Sequence, residues 1–184
     1  SNIISYVDAV QLKNEHMVKL PVIVYNRDSQ SEVLIDAIDL RNKLEEIASA
    51  EYAKTGKYIR PIALFQAQPK GKEDATTFEK LRDKLVDAGI PAEQIAIRTA
   101  DVNELKNVEL MSLSCPIRYI ITVNALKEGW DCPFAYILAS LANKTSQVDV
   151  EQILGRILRL PHTSQHTQSA LNMSYVLTSS NDFN

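Results

Sequence analysis

Apolar residues in this chain fall into two kinds of run: short and continuous, or longer and spaced three and four apart. Residues 3–10 and 18–25 are β-rich runs separated by polar breaks, the second interrupted by Pro21, and 26–29 read as a loop. From 31 to 54, Leu34, Ala37, Ile38, Leu44, Ile47 and Ala48 recur at helical spacing. Asp36, Asp39, Arg41, Lys43, Glu45 and Glu46 occupy the other side, which predicts a long amphipathic surface helix stopped by Gly56. Apolar runs at 62–65, 94–98, 117–123, 134–141 and 173–178 predict strands, and Phe78, Leu81 and Leu85 predict a helix over 77–88 closed by Gly89. A last helical pattern runs to 159, opened by Ser146 and Asp149 in a capping-box arrangement. Continuously apolar strands separated by longer helical segments predict an α/β fold with a parallel sheet covered on both faces. In such sheets ligands sit at the carboxyl ends of the strands, so the polar residues just after each strand are the candidates.

Composition narrows the function classes. The 184 residues suit one well-buried domain. Within it, 57–184 form the core, and 1–56 are an N-terminal extension or a linker plus helix. No apolar run approaches the roughly 20 residues of a membrane span, and no signal-peptide pattern opens the chain. Cys115 and Cys132 are too few for a disulfide framework, so reduced thiols and a cytoplasmic location are expected. The opening Ser1-Asn2 lacks a methionine, and a fragment of a longer protein is expected. The net charge of −3 means that any nucleic-acid contact must rest on local groups. His162 and His166 form an H-x3-H pair without further ligands, which reads as a polar loop with no metal.

The most informative run is Gln152-Ile-Leu-Gly155-Arg156-Ile-Leu-Arg159. At about 100° per residue, Gln152, Arg156 and Arg159 fall within roughly 60° of one another on a helix, with Gly155 beside them. Ile153, Leu154, Ile157, Leu158 and Leu160 fill the opposite side. Guanidinium is planar, always charged and forks onto phosphate oxygens, so two of them one turn apart suit a polyanion such as a triphosphate. Glycine inside a helix costs about 1 kcal/mol relative to alanine, and close approach of a partner surface would offset that.

After the 117–123 run comes Asn124-Ala-Leu-Lys-Glu-Gly129-Trp130-Asp131-Cys-Pro133. A glycine in a strand-to-loop turn exposes backbone N–H groups to phosphate oxygens, and the carboxylate two residues later can accept from a ribose hydroxyl. Trp130, the single tryptophan, either stacks on a base or packs against its own domain. Phe65 and Gln66 end the 62–65 run where a strand edge would meet a ligand.

In this order the three motifs resemble the second RecA-like domain of superfamily 2 helicases and translocases. Residues 62–66 match motif IV, 125–133 motif V and 152–159 motif VI. The wording is most similar to the ATP-dependent Res subunit of type III restriction enzymes. Leu126-Lys-Glu-Gly-Trp-Asp-Cys-Pro133 and Arg60-Pro-Ile-Ala-Leu-Phe-Gln-Ala-Gln-Pro69 carry the likeness, which covers nearly the whole chain. The resemblance implies a three-layer RecA-like sandwich. It also implies that Arg156 and Arg159 reach the γ-phosphate of ATP held on a first RecA-like domain, with Gln152 beside the phosphate or the attacking water. Gly129, Asp131 and Gly155 would line the ATP cleft. Phe65, Gln66, Asn124, Ala125 and Lys127 would face DNA. Many relatives carry a threonine six residues before the motif V glycine, where this chain has Val123 with Thr122 one step earlier.

A G-x-x-x-x-G-K-S/T run and a D-E-x-H/D run are both absent from the sequence, so ATP and Mg2+ would be bound mainly by the first domain. Implied partners are DNA, that domain and a methyltransferase subunit. The alternatives are a DNA-repair or RNA helicase domain, and a non-enzymatic α/β module whose arginine helix docks an acidic partner.

Overall fold

Ser29 and Gly56 set the longest element. Ser29 has extended backbone and its hydroxyl accepts the Glu32 N–H at 3.2 Å, starting α1 (Gln30–Thr55). Gly56, at φ 75°, donates its N–H to the Tyr52 carbonyl at 2.8 Å and ends the helix in the left-handed region. The computed structural model describes residues 8–13, 19–68, 77–125, 130–141, 147–156, 158–159 and 166–179. Val33, Ala37, Leu44 and Ala48 are buried along α1, as the spacing predicts. Asp36 and Arg41, expected on its solvent side, are buried too. Each is satisfied: Asp36 pairs with Arg27, and Arg41 donates to Tyr119 Oη, Glu45 and the Pro61 carbonyl.

The strands are β1 (Asp8–Lys13), β2 (Lys19–Asn26), β3 (Ile62–Gln66), β4 (Ile95–Ile97), β5 (Tyr119–Thr122), β6 (Cys132–Pro133), β7 (Ala135–Ser140), β8 (Leu158–Arg159) and β9 (Ser174–Thr178). Seven of them form one sheet in the order β1-β2-β9-β7-β3-β5-β4. Six run parallel and β1 is antiparallel at the edge. The chain is therefore α/β with a largely parallel sheet. The strand pair and helix of the first 56 residues join it, since β2 pairs with β9 and α1 packs on β7, β9 and β3.

The connections β2–α1–β3 and β3–α2–β4, with α2 at Phe78–Asp87, move one way across the sheet; β7–α3–β9, with α3 at Gln147–Arg156, moves the other way. Right-handed crossovers then put α1 and α2 on one face and α3 on the other. β3 and β7 are neighbours whose connections diverge, so the switch point of the sheet lies between their carboxyl ends. The edge strand β4 is covered: Ile97 N–H donates to the Glu104 carboxylate at 2.7 Å, and Glu104 N–H returns to the Ile97 carbonyl at 2.9 Å. Among the described residues no helix is long and apolar enough to cross a membrane.

At the far end of α1, Glu51 corrects the polar-loop expectation for His166. The imidazole is buried, with Nδ1 2.9 Å from the Glu51 carboxylate. Thr167 Oγ1 and the Gln168 N–H donate to the same carboxylate. Burial pushes the Glu51 pKa up, but these hydrogen bonds and His166 outweigh it and hold it below its ordinary value. His162 and Ser146 lie outside the described residues.

Candidate functional site

The parallel strands carry a polar rim at their carboxyl ends. Asn26, Thr178, Ser140, Gln66 and Thr122 are register partners across five adjacent strands, so they share one face of the sheet. Two glutamines bridge the switch point, Gln30 and Gln68 each donating to the Leu141 carbonyl, at 3.0 and 2.9 Å. Gln66 is half-buried and Asn124 exposed at this rim, so both can meet a ligand. Phe65 cannot: its side chain is 0% exposed, on the opposite face against Tyr119, with ring centroids 6.2 Å apart. Ala125 is likewise buried. The strand alternation that aims Gln66 at one face sends Phe65 into the core on the other. Lys127 and Gly129 lie outside the described residues.

From Thr122 at the carboxyl end of β5, the chain returns to the amino end of β7. There Phe134 adopts φ 71°, a conformation that disfavours side chains, and its carbonyl accepts the N–H of Ile62, the first residue of β3. Asp131 is exposed just before this turn and Trp130 is half-buried. Cys132 is buried; burial first, then the charge of Asp131, pushes its thiol pKa up, which keeps it protonated at neutral pH.

α3 brings the chain from the carboxyl end of β7 back towards this same amino end. Val150, Ile153 and Leu154 are buried while Gln152 and Arg156 are exposed, the amphipathic division that the spacing predicts. Gly155 is buried. One expectation fails here. The helix stops at Arg156, and Leu158 and Arg159 are extended instead of continuing the helical edge. The reason is pairing: Leu158 and Arg159 run parallel to Cys132 and Pro133 as β8 against β6. The ladder pairs the backbone of Leu158 and Arg159 with that of Cys132 and Pro133 in place of a further helical turn. Arg156 also sits in the last turn of α3, where a cation is favoured by the helix dipole whatever else it does.

The candidate residues thus separate into two groups. Gln66 and Asn124 lie at the carboxyl rim, whereas Asp131 and the end of the Gln152–Arg159 run meet at the opposite end of the sheet. The strand-end rule anticipates the first group and misses the second.

Beside Asp131 opens a cleft of about 390 Å³, lined by Trp130, Pro133, Arg98 and residues between 103 and 111. The Arg98 guanidinium stands 6.0 Å from the centroid of the Trp130 ring. Beneath the cleft Arg60 is almost wholly buried, donating to the carbonyls of Ile117 (2.7 Å), Ser112 (3.0 Å) and Leu110, and lying 5.7 Å from the Phe134 ring centroid. Arg60 opens one of the runs that carry the likeness and Arg98 ends a strand run, but neither receives a role from sequence reasoning, because each acts through residues distant in the chain.

Among the described residues no three His, Cys, Asp or Glu side chains gather in a group that could hold a metal ion. Comparison with protein-family models, with curated proteins and with solved structures gave no match.

Proposed function

We propose that this chain is the second RecA-like domain of a superfamily 2 DNA helicase or translocase, of the kind found in the Res subunit of type III restriction enzymes. One observation carries the reading: the β6–β8 ladder joins the end of the motif V run to the end of the motif VI run. Residues 25 or so apart in sequence thereby form one surface, which two unrelated turns would have no reason to do. On this reading ATP and Mg2+ are held on a first RecA-like domain, and Asp131, Gln152, Arg156 and Arg159 face that domain. Asp131 accepts from the ribose. Arg156 and Arg159 stabilise charge that develops on the transferred phosphoryl group, a contribution of about 10³–10⁵ in kcat in other phosphoryl-transfer enzymes. Gln66 and Asn124 contact the DNA backbone at the carboxyl rim, Lys127 is a further DNA contact by the resemblance alone, and a methyltransferase subunit is a further partner.

On this reading the chain from β5 to β6 starts at the proposed DNA rim and ends at the proposed nucleotide face, which makes it the candidate link between the two. Closure of two domains on ATP requires groups that touch the nucleotide only in the closed state, and the arginines supply them. Without a phosphate-binding loop, the 184-residue chain by itself is expected to hydrolyse no ATP. A colorimetric phosphate assay tests this; robust turnover by the purified chain, free of contaminating ATPase, would sink the reading.

A further inference from the structure

The exit of β7 is held by more hydrogen bonds than satisfaction alone requires. Leu141, one residue past β7 and almost wholly buried, donates its N–H to the Gln66 carbonyl at 3.0 Å. Its own carbonyl accepts from Gln68 Nε2 at 2.9 Å and from Gln30 Nε2 at 3.0 Å. One donor satisfies a buried carbonyl. Two that converge from separate elements, the start of α1 and the segment after β3, occupy both lone pairs and fix its direction as well. Gln68 is 6% exposed, so this is an internal clamp and not a surface contact. The segment that carries Gln68 is itself pinned to β5, where the Ala67 N–H donates to the Thr122 carbonyl at 2.8 Å.

Residues 66–68 thus place a half-buried Gln66 at the carboxyl rim and hold Leu141 by both of its backbone polar groups. From Leu141 the chain runs on to α3, whose ten residues begin at Gln147 and end at Arg156. At about 1.5 Å per residue, a helix of that length converts a tilt of about 4° at its start into a shift of about 1 Å at its far end. A misplacement of about 1 Å at a reacting centre can cost about 10²-fold in rate. We propose that Gln30 and Gln68 are positioning residues for Arg156. By fixing the exit of β7 they set the angle at which α3 delivers its arginine, and they tie that angle to the segment that meets DNA. Both act through the Leu141 carbonyl, so neither is a catalytic residue. The inference rests on the motor reading above.

The test is ATP hydrolysis by the full-length parent protein, stimulated by linear duplex DNA, in a variant carrying Gln30→Met and Gln68→Met. Methionine keeps the length of the stem and removes the amide donor. In the pair, kcat should fall at least tenfold, with KM for ATP and DNA affinity within about twofold of wild type. In an Arg156→Ala background the same pair should lower kcat no further, because it acts through that arginine. An equal fold-loss in both backgrounds means a merely structural clamp and overturns the proposal. Each single variant leaves one donor on the Leu141 carbonyl, so the singles replace the pair if circular dichroism shows it unfolded. At least one single should then lose about threefold in kcat, and wild-type rates in both overturn the proposal. Wild-type kcat in the folded pair, with hydrolysis that collapses in Arg156→Ala alone, removes the clamp and leaves the motor. Hydrolysis indifferent to Arg156→Ala removes both.

Discussion

Replacing Arg60 with methionine removes a buried guanidinium while keeping most of the volume of its stem. Its hydrogen bonds run to three carbonyls and the Tyr58 hydroxyl, with no carboxylate among them, so its charge is balanced by dipoles and by the Tyr58 and Phe134 rings. The substitution orphans the carbonyls of Leu110, Ser112 and Ile117. A buried acceptor left unsatisfied costs about 1–3 kcal/mol. Leu110 and Ser112 belong to turns that can rotate towards water, whereas Ile117, two residues before β5, cannot. Some relief comes from no longer burying a charge. The balance is a loss of about 2–4 kcal/mol. Urea titration followed by circular dichroism, with linear extrapolation, measures it. Arg60→Lys should recover little, because an ammonium cannot reach three carbonyls set around a planar fork. As a control, Arg82→Met breaks an ion pair whose side chains are 36% and 39% exposed and should cost no more than about 1 kcal/mol. If Arg60→Met loses less than 1 kcal/mol, the guanidinium is not the strut that fixes the 110–117 segment beneath the cleft.

Two further outcomes follow from the ends of α1. A Cβ at Gly56 would meet nothing within 4 Å, so Gly56→Ala tests backbone conformation alone; at φ 75° it should cost about 1–2 kcal/mol in thermal or urea unfolding, with Gly56→Asn closer to wild type. Glu51 has a pKa held below its ordinary value, so its contribution to stability is present above the usual carboxylate range and lost as pH falls through it. The stability gap between wild type and Glu51→Gln should therefore narrow when urea titrations move from pH 7 to pH 4, and a gap independent of pH would contradict the assignment.

Much of the fold is legible in the sequence because its signals are local. Ser29 and Gly56 bracket α1 by their own backbone chemistry, and Leu81 and Leu85 mark the inner side of α2 by spacing alone. Phe65, Ile120, Ile121 and Leu138 lie in short, continuous apolar runs, β-branched at 120 and 121, of the kind that strands buried on both faces accommodate. What escapes depends on distant partners. Leu158 and Arg159 fit a helix as well as a strand by pattern, and only Cys132 and Pro133 decide between them. Asp36 and Arg41 read as surface residues until Arg27, Tyr119 and the Pro61 carbonyl are seen to receive them. The Glu51–His166 pair and the three carbonyls on Arg60 have no sequence signature, since each joins elements far apart in the chain. At the candidate site, residue types were readable but their division between two ends of the sheet was not, because strand order is not written in any one segment.

The central claim is that the exposed Arg156 acts on a nucleotide held across an interface. It is tested most directly by DNA-stimulated ATP hydrolysis in the full-length parent protein, wild type against Arg156→Ala, with DNA affinity measured in parallel. The account predicts a loss of kcat of about 10³-fold or more with DNA affinity nearly unchanged. Unchanged hydrolysis would contradict it and leave Arg156 as a cation at the end of a surface helix.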